Sequence, residues 1–129
     1  MRVLQINPFV DSQGRSPPAL LAEWWTLRHC AEAATLAGAK VRVLQASTAR
    51  ARWGEGGVDY HCLPLLGPEG QPDAGLAPLL RDWRPDVVHL HGLVFTREVH
   101  ALAALLPGRP LLLQDHAARP PTRPWVWWR

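Results

Sequence analysis

The sequence predicts an α/β domain built on a doubly wound parallel sheet. Three observations point there. Short apolar runs alternate with helix-periodic segments along nearly the whole chain. The apolar runs lack strict apolar–polar alternation, so both faces of those strands should be covered, as in a parallel sheet with helices on each side. Turn residues punctuate the segments, and right-handed crossovers then wind the helices onto both faces.

Each element follows in order. Arg2 to Asn7 holds Val3, Leu4 and Ile6 and stops at Pro8, which fits a buried first strand. Ser16-Pro17 offers an N-cap followed by proline at the first helical position. Leu20, Trp24, Leu27, Ala31 and Ala34 continue at helical spacing, and Gly38 closes that helix. Lys40 to Gln45 reads as the second strand, Arg50 to Gly57 as a loop, and Val58 to Leu65 as strand-like. Asp73 is placed to cap a short helix carrying Leu76, Leu79, Leu80 and Trp83, stopped by Pro85. Val87 to Leu90 is a strand broken by Gly92. A helix follows from Thr96 to Leu106, with Pro107-Gly108 after it. Leu111 to Leu113 reads as a further buried strand running into Gln114, Asp115 and His116.

The 129 residues suit one domain, and 47% apolar content argues against disorder. The reading divides the chain into a domain over 1–116 and a Pro/Trp/Arg-rich tail over 117–129. Net charge is +3, and it belongs to the tail. Without Arg119, Arg123 and Arg129, basic and acidic residues balance at 11 each. That distribution does not suit a nucleic-acid domain, which spreads basic residues over a folded face. Interleaved Arg and Trp in the tail could also describe a membrane- or nucleic-acid-binding element. The reading preferred is the loop and first turn of another helix. Cys30 and Cys62 lack metal-type spacing and read as two buried free thiols of a reducing compartment. No leader pattern and no bilayer-length apolar run are seen, so the chain is expected to be soluble and cytoplasmic.

In a doubly wound sheet, ligands bind at the carboxyl ends of the strands, so three strand ends are candidates. The first is the loop from Asn7 to Arg15, where Gly14 precedes a helix N-terminus that could meet an anion or a sugar hydroxyl; an ordinary connecting loop explains it equally well. No G-x-G-x-x-G fingerprint is present. The second is His89-Leu90-His91-Gly92. His89 and His91 point to one side, with His89 read as a core histidine and His91 as a cleft-lining one at the tip. The third is Asp115-His116, whose side chains should emerge at the sheet's edge; a capped turn and a solvated histidine is the plainer alternative. No metal site is expected, because no acid or thiol sits at ligand spacing from the histidines. No serine elbow supports a hydrolase triad. His29, His61 and His100 are read as exposed and receive no role.

Three segments together resemble a known family. Met1-Arg-Val-Leu-Gln-Ile-Asn-Pro-Phe is similar to the opening strand of family-four glycosyltransferases. Pro85-Asp-Val-Val-His-Leu-His-Gly92 is similar to their fourth strand, and Leu111-Leu-Leu-Gln-Asp-His116 to the next. Order and spacing agree over nearly the whole chain. The resemblance implies a Rossmann-like half of a GT-B fold, incomplete at its end, that binds the acceptor. A second Rossmann-like domain, on the order of 150 residues long, would bind the nucleotide sugar. It implies retaining transfer, of hexosyltransferase type, without cofactor or metal. The nucleotide-sugar donor is a co-substrate held mainly by the other domain, and the acceptor is a small molecule, lipid or glycan. It places His116 beside the donor sugar as the catalytic residue, with Gly14, His91, Gly92 and Asp115 lining the cleft. Gln13 stands where many relatives carry a second glycine, which argues against close phosphate approach by that loop. On this reading the chain alone is inactive.

Two other classes compete. One is a small stand-alone α/β module that binds a ligand or protein. The other is an unrelated α/β enzyme, such as an isomerase using Asp115 and His116, since one such architecture hosts many chemistries.

Overall fold

In β1 (Arg2–Asn7) four successive residues, Val3 to Ile6, are buried. A strand covered on both faces must lie centrally in a parallel sheet. β1 indeed pairs in parallel with β2 (Lys40–Ala46) on one side and β5 (Val87–His91) on the other. This arrangement is seen in a computed structural model that describes residues 1–116; the tail reading over 117–129 lies outside the described residues.

Among the described residues the sheet has six strands in the order β3-β4-β2-β1-β5-β6, where β3 is Ala51–Glu55, β4 is Val58–Leu63 and β6 is Leu111–Gln114. Every pairing is parallel except β3 with β4. Helices α1 (Pro17–Glu23) and α2 (Trp25–Leu36) cover one face, where Leu21, Leu27 and Ala31 meet Val3, Val41, Val43, Val58 and Tyr60. Helices α3 (Leu76–Trp83) and α4 (Thr96–Leu105) cover the other, where Leu76, Leu80 and Leu102 meet Leu4, Ile6, Leu44, Val88 and Leu90. The α/β class with helices on both faces is therefore present, around a mostly parallel sheet. Each buried Val, Leu or Ile side chain among these contributes about 1.5–3 kcal/mol of transfer free energy.

Several local expectations are corrected. Residues 51–57 are not a loop but strand β3 and its turn. Gly56 and Gly57 take positive φ (59° and 79°), as a two-residue hairpin turn requires, and Trp53 stacks on Tyr60 at 5.1 Å. The signal was weak because Arg52 and Glu55 lie exposed on an edge strand. The single helix expected from Pro17 is two: Trp24, at φ −88° and ψ 55°, breaks the path between α1 and α2. Ser16 holds the N-cap position but makes no side-chain cap bond. Asp73 does not cap at the expected place; its Oδ1 accepts from the Gly75 N–H, and Gly75 is the N-cap of α3. β6 is not a buried strand. It is the last strand of the sheet among the described residues, with Leu112 and Leu113 55% and 41% exposed. His61 is not exposed: its ring is half-buried and bonds Asp59.

Candidate functional site

Strands β1, β5 and β6 end side by side, and the register decides what meets there. Gln5 pairs with His89, which pairs with Leu112, and His91 pairs with Gln114. Paired residues in parallel strands share a face, so Gln5, Asn7, His89, His91 and Gln114 all lie on the face covered by α1 and α2. A polar stripe thus crosses the carboxyl edge of the sheet on this face.

His91 is the centre of the stripe. It is buried, at 5% exposure, and its ring lies 4.3 Å from that of His89. Its Nδ1 is 2.7 Å from Nε2 of His116, beyond the end of β6. The two rings are nearly parallel, at 5°, with centroids 4.9 Å apart. That separation matches the hydrogen-bond length plus the radii of two rings. The nitrogens therefore lie on the line joining the ring centres, and the rings are coplanar, edge to edge, rather than face to face. Burial, reinforced by the neighbouring His89 and His116 rings, pushes His91 down to about 3. His91 is neutral at physiological pH, and among the described residues its other nitrogen, Nε2, is buried without a partner. His89 is also lowered by burial, partly offset by the bond from its Nε2 to Gln114 Oε1 at 2.7 Å.

Gly92 lets the chain leave β5 at this point. Its φ is +112°, and an added Cβ would lie 2.8 Å from the Phe95 ring. Its N–H donates to the Gln114 carbonyl at 2.7 Å, which ties the ends of β5 and β6 together.

A cavity of about 340 Å³ opens over these strand ends, lined by Asn7, Phe9, Glu23, Trp24, Trp25, Thr26, Leu27, His91 and His116. The break at Trp24 turns the first residues of α2 toward the strand ends. Phe9 packs edge-on to Trp24 at 5.1 Å, and the Arg15 guanidinium lies 5.6 Å from the Trp24 ring. Arg15 is anchored by Asp11 at 2.6 Å and pairs with Glu23. Its side-chain hydrogen bond holds the Asp11 carboxyl well below the usual carboxylate range. The floor is braced by a second network: Asn7 Nδ2 donates to Gln45 Oε1 at 3.0 Å, and Gln45 Nε2 donates to the Phe9 carbonyl at 2.7 Å. Mostly apolar walls with a few convergent polar groups are the usual character of small-ligand sites.

Of the residues singled out in the sequence, the structure brings His91 and His116 to this cavity, together with Asn7. Gly14, Gly92 and Asp115 are not among its described lining residues, although Gly92 shapes the turn behind His91. Gly14 sits in the loop after β1, with open space where a Cβ would project. Asp115 is exposed. The aromatic wall, Phe9 with Trp24 and Trp25, was not anticipated. Its one signal was the adjacent tryptophan pair within an otherwise regular amphipathic helix.

Among the described residues no group of three His, Cys, Asp or Glu could hold a metal ion, and no helix is long and apolar enough to cross a membrane. Comparison with protein-family models, curated proteins and solved structures finds no match to this chain.

Proposed function

We propose that this chain is the acceptor-side domain of a retaining glycosyltransferase of GT-B architecture, of hexosyltransferase type. Its cleft takes a hydroxyl-bearing acceptor, which is a small molecule, the head of a lipid or a glycan. The nucleotide-sugar donor is held mainly by a second domain. The observation that carries this reading is the coplanar His91–His116 pair, set at the strand ends beside the Trp24 and Trp25 rings. Aromatic faces suit the apolar face of a sugar ring, and the outer imidazole nitrogen of His116 suits a hydroxyl. The division into sugar-stacking wall and hydrogen-bonding floor gives orientation, which is most of what such a domain must supply. His116 is the residue nearest the transfer: it hydrogen-bonds a hydroxyl and directs a dipole at developing charge. The resemblance of the three strand segments to family-four enzymes supports the same assignment.

Titration of the chain's tryptophan fluorescence with a panel of monosaccharides, disaccharides and nucleotide sugars tests it. Neutral sugars should perturb the emission. His116→Ala should weaken binding by roughly tenfold, the worth of about one hydrogen bond. A panel without any response, or binding indifferent to His116, contradicts the reading. Appreciable nucleotide-sugar turnover by the 129-residue chain alone contradicts the division of labour between two domains.

A further inference from the structure

The hydrogen bond between His91 Nδ1 and His116 Nε2 contains one proton, which belongs to one ring or the other. If His91 donates, its Nε2 is bare and neutral His116 carries its single proton on Nδ1. If His116 donates, His91 carries a proton on Nε2 and the Nδ1 of His116 is bare. The two outer nitrogens are therefore always one donor and one acceptor, and whatever holds one end decides the other.

The buried end has a candidate. Among the described residues, two buried side-chain polar atoms lack a partner: His91 Nε2 and Gln5 Oε1. Both residues are more than nine-tenths buried. Both stand on the same face of adjacent strands, since Gln5 is in register with His89 and the His89 ring touches that of His91. Leaving two such atoms unpaired is costly, and an amide oxygen can only accept.

We propose that Gln5, His91 and His116 form a tautomer relay that presents a bare, hydrogen-bond-accepting Nδ1 on His116 to the cleft. Gln5 Oε1 accepts from His91 Nε2–H, a bond closed by rotation of the Gln5 side chain. His91 Nδ1 then accepts from His116 Nε2–H. The outer edge of the His116 ring is left as an acceptor, suited to a ligand hydroxyl and unsuited to a carboxylate or phosphate oxygen. Gln5 and His91 are positioning residues. They fix the ring plane and the polarity of His116 without touching the ligand. The identity of the ligand rests on the glycosyltransferase reading; the tautomers do not.

Long-range ¹H–¹⁵N NMR of the ¹⁵N-labelled chain at neutral pH reads the tautomers directly. The expected spectrum has both His91 and His116 protonated on Nε2 and bare on Nδ1. In Gln5→Met the buried acceptor is gone, and a population protonated on Nδ1 should appear in both rings together. A wild-type His91 protonated on Nδ1 overturns the relay, because its bare Nε2 then cannot donate to Gln5 Oε1. Unchanged tautomers in a folded Gln5→Met protein overturn the role of Gln5. Should that variant not fold, the wild-type spectrum decides alone. A chain that shows these tautomers but binds no sugar keeps the relay and loses the function; a chain that binds sugar with the opposite tautomers does the reverse.

Discussion

His91 Nδ1 and His116 Nε2 lie 2.7 Å apart in one shared plane, one residue buried and the other exposed. The pair joins the sheet's interior to the cleft, so the two residues should respond differently to replacement. His116→Ala should cost about 0.5–1.5 kcal/mol, because it removes the hydrogen-bond partner of buried His91 Nδ1, while weakening sugar binding. His91→Ala removes a buried ring and should cost about 2–4 kcal/mol as well as affinity. Urea unfolding of both variants, run beside the fluorescence titration, separates the two contributions.

Acid should loosen the fold before the carboxylates titrate. His91 is lowered from 6.5 to about 3 in the folded chain. Between those values the unfolded chain binds a proton that the folded chain refuses, so stability rises with pH and is lost as pH falls. The slope is about 1.4 kcal/mol per pH unit for this one group. His89 and His61, also lowered by burial, act in the same direction just below 6.5. Asp59 and Asp73 have folded pKa values below 3.8, so their stabilisation fades only at lower pH. Denaturant midpoints measured from 6.5 down toward the carboxylate range should fall, and His91→Phe should flatten that fall. An unchanged profile in His91→Phe contradicts the assignment.

The two thiols should differ in reactivity. Cys62 is buried in β4, and burial pushes its thiol up to about 11. Cys30 is half-buried on α2. A thiol reagent near neutral pH should label the native chain once, at Cys30, and twice only after unfolding. Mass spectrometry of the labelled peptides checks this. Labelling of Cys62 in the native state would mean that β4 opens.

Gly92→Ala should destabilise the chain by about 1–3 kcal/mol, because it forces a side chain into a strained backbone conformation. Its Cβ would also press on the Phe95 ring, 2.8 Å away. The same change should loosen the bond from the Gly92 N–H to the Gln114 carbonyl and so disturb His116. Thermal unfolding and the sugar titration together read both effects. A stable variant with full affinity would show that the turn does not hold the site.

Much of this was legible in the residues. The apolar runs at Val3, Val41 and Val88 located three of the central strands, since strands buried on both faces need little alternation to be recognised. The parity of His89 and His91 placed them on one face, and the strand-end rule drew attention to His91 and His116. Other features depend on tertiary context. β3 is an exposed edge strand whose partner is recognised only once the hairpin closes. The break at Trp24 is invisible to periodicity, because Leu20, Trp24 and Leu27 keep helical spacing through it. The cavity's aromatic wall follows from that break and was missed with it. The burial of His61 follows from its bond to Asp59, which also binds Arg42 and Arg52 across neighbouring strands. A loop residue such as Gly14 has the right chemistry for a site, but nothing local fixes where its loop will rest.

The most direct test of the central claim is chemical-shift mapping of the ¹⁵N-labelled chain against a neutral sugar that perturbs its fluorescence. The account predicts shifts concentrated at Asn7, Trp24, Trp25, Thr26, His91 and His116, the lining of one cavity at the carboxyl edge of the sheet. Shifts clustered elsewhere, or absent at saturating sugar, would contradict it.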